Sequence, residues 1–238
     1  MCGIAGLIHK GKTVKIGSEL QNMLQALKHR GPDSTGFALY GEGHDNDYIM
    51  RFKVGENVKE GSSAVNEDKS VYDARKKQVD ARLKELGAEV VKEERITPYS
   101  FKYIMKYDDD LMEFSKTVES VEMAEILSIG KHLELVKDIG DAGVVAKQYS
   151  LDKINGTHAI GHTRMATESG VDIRSAHPFW GYPFSDVSVV HNGQLTNYWN
   201  SRRRLENKGM RFNCSVPSSK NEIRRNIRRR YERFINRT

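Results

Sequence analysis

Only two cysteines occur in 238 residues, Cys2 and Cys214, one near each end. That separation excludes the close-set pairs of a structural zinc site and any disulfide framework, and it fits a chain held in a reducing, cytoplasmic compartment. No apolar run approaches the roughly 18–20 residues of a membrane span. The stretch IAGLI is too short, and lacks the basic flank, for a secretory leader. Internal repeats and long low-complexity linkers are also missing, and no aspartate follows Asp186. The length suits one sizeable domain, or one domain with a large insertion.

The net charge of +6 has a single source. Residues 213–238 carry eight Lys/Arg against Glu222 and Glu232, so the first 212 residues balance 30 basic with 30 acidic groups. Nucleic-acid contact, where basicity implies it, is therefore confined to the tail. There Ser219 and Glu222 form a capping-box pattern, and Ile223, Ile227, Tyr231 and Phe234 recur at helical spacing among seven arginines. Two readings of this tail stay open: a basic amphipathic helix, or an out-of-frame ending of a longer gene.

CGIAGLIHK reads as an N-terminal strand. Leu20, Met23, Leu24 and Leu27 follow at i, i+3, i+4 and i+7, with Ser18 and Gln21 as a capping box, which predicts an amphipathic helix ending near His29. HRGPDSTG is a turn, and FALYGEG returns to strand. Residues from about 51 to 155 are charged and helix-rich and read as an α/β insertion. Within them a helix through Val79, Leu83 and Leu86 ends at Gly87, Phe101 to Tyr107 alternates as a strand, and Leu111 to about Val136 reads as a second helix. This insertion is either a surface elaboration or a docking surface for a partner. VSVV is a short buried strand leading into His191, Asn192 and Gly193, and NYWNSRRRLENKGMRF gives a helix and the start of a strand.

Removal of Met1 would leave Cys2 with a thiol and a free α-amino group on the same carbon. An α-amino group with a pKa near 7.7–8.0 can take the proton of a thiol near 8.5, so no histidine partner is required. Thiolate attack on an amide creates an oxyanion that needs two fixed donors. The side-chain amide of Asn192 and the backbone N–H of Gly193 are candidates. An amino-acid substrate has an α-carboxylate to be held, and Arg164 in GHTRMAT is a planar bidentate donor. His158 and His162 have the i, i+4 spacing of a helical metal pair but lie in a strand pattern without a third ligand. Asp108, Asp109 and Asp110 read as a turn and helix cap. No metal is expected.

CGIAG, HRGPDSTG, GHTRMAT, the pair His177 and Pro178, and VVHNG, in this order, resemble the class II glutamine amidotransferases of the N-terminal-nucleophile hydrolase superfamily, and most nearly the glutaminase part of glutamate synthases. The resemblance covers residues 2–43 and about 156–212. It implies an α+β fold, a four-layer αββα sandwich of two antiparallel sheets. It also implies a domain over residues 2–212 that holds the insertion, with 213–238 as a separate tail.

The resemblance further implies that Cys2 forms a γ-glutamyl thioester and releases ammonia, with oxyanion donors at Asn192 and Gly193 and a carboxylate contact at Arg164. Arg30 and Gly31 resemble the loop beside the nucleophile, and Thr167 lies near the substrate. Glutamine is the implied substrate, no cofactor is called for, and a separate synthase subunit would accept the ammonia. Two departures stand out. The family aspartate that holds the glutamine ammonium, some two dozen residues beyond HNG, has no counterpart here, a loss of roughly 1.5–3 kcal/mol or about 10- to 150-fold in binding. Only 46 residues (193–238) follow Asn192, so the sandwich is expected to be incomplete at its C-terminus. The alternatives are an amidophosphoribosyltransferase-like or asparagine-synthetase-like glutaminase module, or a catalytically degenerate binding subunit that uses its basic tail.

Overall fold

Short apolar segments separated by turns dictate a layered arrangement, because each can bury only one face or stripe. A computed structural model describes residues 2–44, 46–56, 67–165, 173–193 and 197–207. Chain order is β1 (Gly3–Ile8), α1 (Ile16–Ala26), β2 (Ser34–Gly41), β3 (Tyr48–Lys53), α2 (Lys69–Glu85), β4 (Glu89–Arg95) and β5 (Ser100–Lys106). There follow α3 (Leu111–Val118), β6 (Glu125–Gly130), β7 (Leu133–Ile139), α4 (Ala142–Gln148) and β8 (Gly156–Arg164). The two-residue strands β9 (Phe179–Trp180) and β10 (Ser188–Val189) and helix α5 (Tyr198–Glu206) complete the described chain.

The strands form two four-stranded antiparallel sheets, ordered β1-β8-β2-β7 and β4-β5-β3-β6, with β9 and β10 as a separate pair. On the first sheet, Ile16, Leu20 and Leu24 of α1 and Val145 and Ala146 of α4 share a core with Phe37, Leu39, Val136 and Ala159. Ala38, Leu133 and Leu135 of that same sheet join a second core with Met50, Phe52, Phe101 and Tyr103 of the other sheet. Tyr72, Val79 and Leu83 of α2 and Phe114 and Val118 of α3 close that second core. This is the α+β sandwich of two antiparallel sheets flanked by helices that the motifs imply. The second sheet draws on residues 48–130 and on nothing later in the described chain. The stretch 51–155, read from sequence as an insertion, thus supplies β4, β5, β6, α2 and α3, and also β7 at the edge of the first sheet.

Two local expectations need correction. The capping box at Ser18 is not formed: α1 begins at Ile16 after Lys15, with no side-chain cap, because the fully buried Ile16 and Gly17 draw the first turn into the core. The helix expected from Leu111 to Val136 stops at Val118, and the remainder is the pair β6 and β7. All six residues of β6 and the first six of β7 are buried, so apolar residues occupy both faces and mimic helical spacing. The strand expected after α5, Cys214 and the whole tail 213–238 lie outside the described residues. Among the described residues no helix is long and apolar enough to cross a membrane.

Candidate active site

Pairing register brings the ends of three strands together. Gly3 stands opposite Thr163 in the β1–β8 ladder, and Ser34 stands opposite Arg164 in the β2–β8 ladder. Cys2, one residue before β1, therefore lies beside the end of β8, and its Sγ is 4.0 Å from the carbonyl oxygen of Met165. The residue is only partly exposed. Gly3 matters for this placement: a Cβ there would come 2.9 Å from Thr163 Oγ1 and 3.2 Å from Leu27 Cβ, so only glycine lets the strand lie this close to the end of α1.

After α1 the chain makes a single 3-10 turn, Lys28–Arg30, and crosses the end of β8. A Cβ on Gly31 would lie 2.6 Å from the carbonyl carbon of Arg164 and 2.7 Å from that of Thr163. The backbone N–H of Asp33 donates to the Arg164 carbonyl at 3.1 Å and fixes this crossing. Arg30 is thereby brought over Cys2, and its Nε donates to the Cys2 carbonyl at 3.3 Å. From the other side, Asn192 Nδ2 donates to the same carbonyl at 3.1 Å. Gly193 follows with a near-extended backbone, and a Cβ on it would meet His191 Nε2 at 3.3 Å. Arg164 is 7% exposed at the last position of β8.

The structure thus gathers Cys2, Arg30, Gly31, Arg164, Asn192 and Gly193 at one end of the first sheet. Thr167 lies outside the described residues. Asp186 does not take the part of the absent aspartate. Its carboxylate accepts the backbone N–H groups of Lys131, His132 and Leu133 at 3.0, 2.7 and 2.8 Å. That turn is the opposite end of the sheet, because Leu133 pairs with Tyr40 whereas Ile139 pairs with Ser34.

Sequence reasoning missed a polar cluster beside these residues. His162 and His177 are 1% and 4% exposed, and their rings meet edge to face with centroids 4.9 Å apart. The cis His177–Pro178 peptide lies directly on β2, where a Cβ on Gly36 would fall 2.1 Å from the His177 carbonyl oxygen. Burial, then the charge of Arg164 and then His191, lower the His162 pKa to about 4. Burial is also the main cause that holds His177 well below the usual histidine range. Both imidazoles are neutral at physiological pH. Both His162 ring nitrogens, His177 Nε2, His191 Nδ1 and Ser34 Oγ are buried without a hydrogen-bond partner among the described residues. The signal was present in the histidines of GHTRMAT, AHP and HNG, but only the fold brings them together.

No protein-family model matches the chain. Over 217 residues it is 38% identical to the "Putative glutamine amidotransferase" of Methanothermobacter thermautotrophicus, an alignment covering 89% of this chain and 67% of the relative. The chain belongs to the glutamine-amidotransferase-like family. A second relative in this family, glutamine amidotransferase-like protein GlxB of Rhizobium meliloti, is 31% identical over 216 residues, 89% of this chain and 65% of its own length. The chain spans about two thirds of the length of these two relatives. Chloroplastic amidophosphoribosyltransferase 2 of Arabidopsis thaliana matches over 97 residues at 37% identity, 40% of this chain and 17% of that one.

Proposed function

We propose that the protein catalyses the glutaminase half-reaction of a class II glutamine amidotransferase. The observation that carries this reading is the convergence of Cys2, Asn192 and Arg164 at one sheet end, with the Cys2 carbonyl held by Arg30 and Asn192. Once Met1 is removed, the α-amino group of Cys2 takes the thiol proton and Sγ adds to the side-chain carbonyl carbon of glutamine. Asn192 Nδ2 and the Gly193 N–H stabilise the oxyanion. The same amine returns the proton to the leaving nitrogen, the C–N bond breaks, and ammonia departs from a glutamyl thioester. Water then adds to the thioester, releases glutamate and restores the thiol. Arg164 holds the substrate α-carboxylate, and Thr167 completes the pocket. The Asp186 carboxylate, committed to the Lys131–Leu133 turn, does not hold the glutamine ammonium.

The ammonia goes to a separate synthase subunit, most nearly of the glutamate-synthase kind. A second reading, a module like that of the amidophosphoribosyltransferases, is favoured by the 37% identity over 97 residues. Labelling with a diazoketone analogue of glutamine tests the core of the proposal. An N-terminal peptide that lacks Met1 and carries one adduct on Cys2 is expected; an unlabelled Cys2 in folded protein would leave the degenerate binding subunit.

A further inference from the structure

Arg51 lies on β3, and its guanidinium reaches across to Glu134 of β7. Nε and Nη2 both donate to Glu134 Oε2, at 2.9 and 2.5 Å, while Lys102 Nζ donates to Oε1 at 2.9 Å. The Arg51 and Glu134 side chains are 5% and 8% exposed. One buried carboxylate therefore serves two cations, and Arg51 Nη1 has no hydrogen-bond partner among the described residues. An unmatched buried guanidinium donor is costly, so an acceptor that completes it would bind favourably.

These three residues line a cavity of about 620 Å³, which lies within the rough 300–1,000 Å³ range of small-molecule sites. Two of its other charged residues are already paired outside it, Arg95 with Asp73 and Glu94 with Lys92. Arg51, Lys102 and Lys153 then face Glu134 and Glu42, a surplus of one positive charge among the described residues. Burial opposes ionisation of Glu134, yet Arg51 and Lys102 hold its carboxyl below the usual range, so the arrangement is charged. The cavity is distant from Cys2: β2 runs from Ser34, beside Arg164, to Gly41 in the cavity wall, seven steps of about 3.3 Å or about 23 Å in all.

We propose that this cavity is a second binding site, for a small organic anion whose carboxylate or phosphate is received by Arg51 Nη1 and Lys102, with Lys153 adding charge. Binding here is independent of glutamine turnover at Cys2, so a chain inactive towards glutamine still tests it. The full chain is titrated calorimetrically, at constant ionic strength, with inorganic phosphate and separately with succinate, and the stronger of the two identifies the acceptor group. Saturable binding at one site is expected, weakened about tenfold or more by Lys153→Ala. Arg51→Met combined with Glu134→Gln, which leaves neither charge buried alone, should remove it. Should that double variant fail to fold, backbone amide shifts of Gly41, Gly43 and Ile154 on titrating the unaltered chain give the second readout. No saturable heat and no such shifts with either anion, or binding indifferent to Lys153→Ala, overturns the proposal.

Discussion

The side-chain amide of Asn192 donates to the main-chain carbonyl of Cys2 at 3.1 Å, although the two residues are 190 positions apart. Arg30 Nε donates to the same oxygen at 3.3 Å, so the first strand is clamped from two loops just before it enters the sheet. Asn192 is exposed and its removal leaves no core cavity. Asn192→Ala should therefore leave the melting temperature nearly unchanged while glutaminase kcat falls about 10²- to 10³-fold, the usual cost of one oxyanion donor. Steady-state kinetics beside a thermal melt distinguish these effects. Wild-type kcat in this variant would remove Asn192 from the oxyanion site.

Arg164 calls for a different signature. If it holds the substrate α-carboxylate, Arg164→Lys keeps the charge but loses the planar fork, and KM for glutamine should rise by roughly 10- to 150-fold. The control is a glutamine derivative whose α-carboxylate is converted to an amide. Turnover of that compound should be nearly equal in the two proteins; an equal loss with both substrates would make Arg164 a structural residue.

Gly31 is a packing requirement. With main-chain carbons 2.6 and 2.7 Å from where its Cβ would stand, Gly31→Ala must push the loop away from β8. A loss of about 1–3 kcal/mol in a urea unfolding series is expected, as for other overpacked sites. Because the same loop carries Arg30 to Cys2, labelling of the thiol by the glutamine analogue should slow as well. Unchanged stability would mean that the loop has room to shift away from β8.

Elements with one clear period were legible in the sequence: β1, α1, β2, α2 and β5 stand where the residues suggest. β6 and β7 were not, because strands buried on both faces lose alternation, and because Asp186, more than 50 residues later, holds the turn between them. The candidate site was legible as separate motifs, to which the resemblance assigns a nucleophile, its oxyanion donors and a carboxylate ligand; their meeting at one sheet end was not. What no local pattern could reveal is that the rings of His162 and His177 meet, or that Arg51 and Glu134 line a charged cavity from two different sheets. Such contacts depend on register and sheet packing, which spacing along the chain does not encode.

The buried histidines give a prediction about acid stability. An unfolded histidine titrates near 6.5, whereas His162 in the folded chain titrates at about 4 and His177 well below its usual range. As pH falls from about 6.5 towards 4, the unfolded chain binds protons that these two folded residues refuse, so their contribution to stability is lost. The slope is about 1.4 kcal/mol per pH unit for each histidine across that window. Carboxylates held below their usual range, such as Glu134 and Asp141, lose stabilisation only at lower pH, where an unfolded carboxyl begins to protonate. Asp138, whose pKa is raised by burial, acts in the opposite direction. Across the interval from about pH 6.5 to 5, comparison with His162→Gln separates one imidazole from the carboxylates. Urea unfolding across it should show stability falling with proton uptake on unfolding, and His162→Gln should flatten the slope by close to one proton. A slope that does not change in this variant would mean that His162 is accessible to protons in the folded state, and the neutral His162–His177 pair would have to be abandoned.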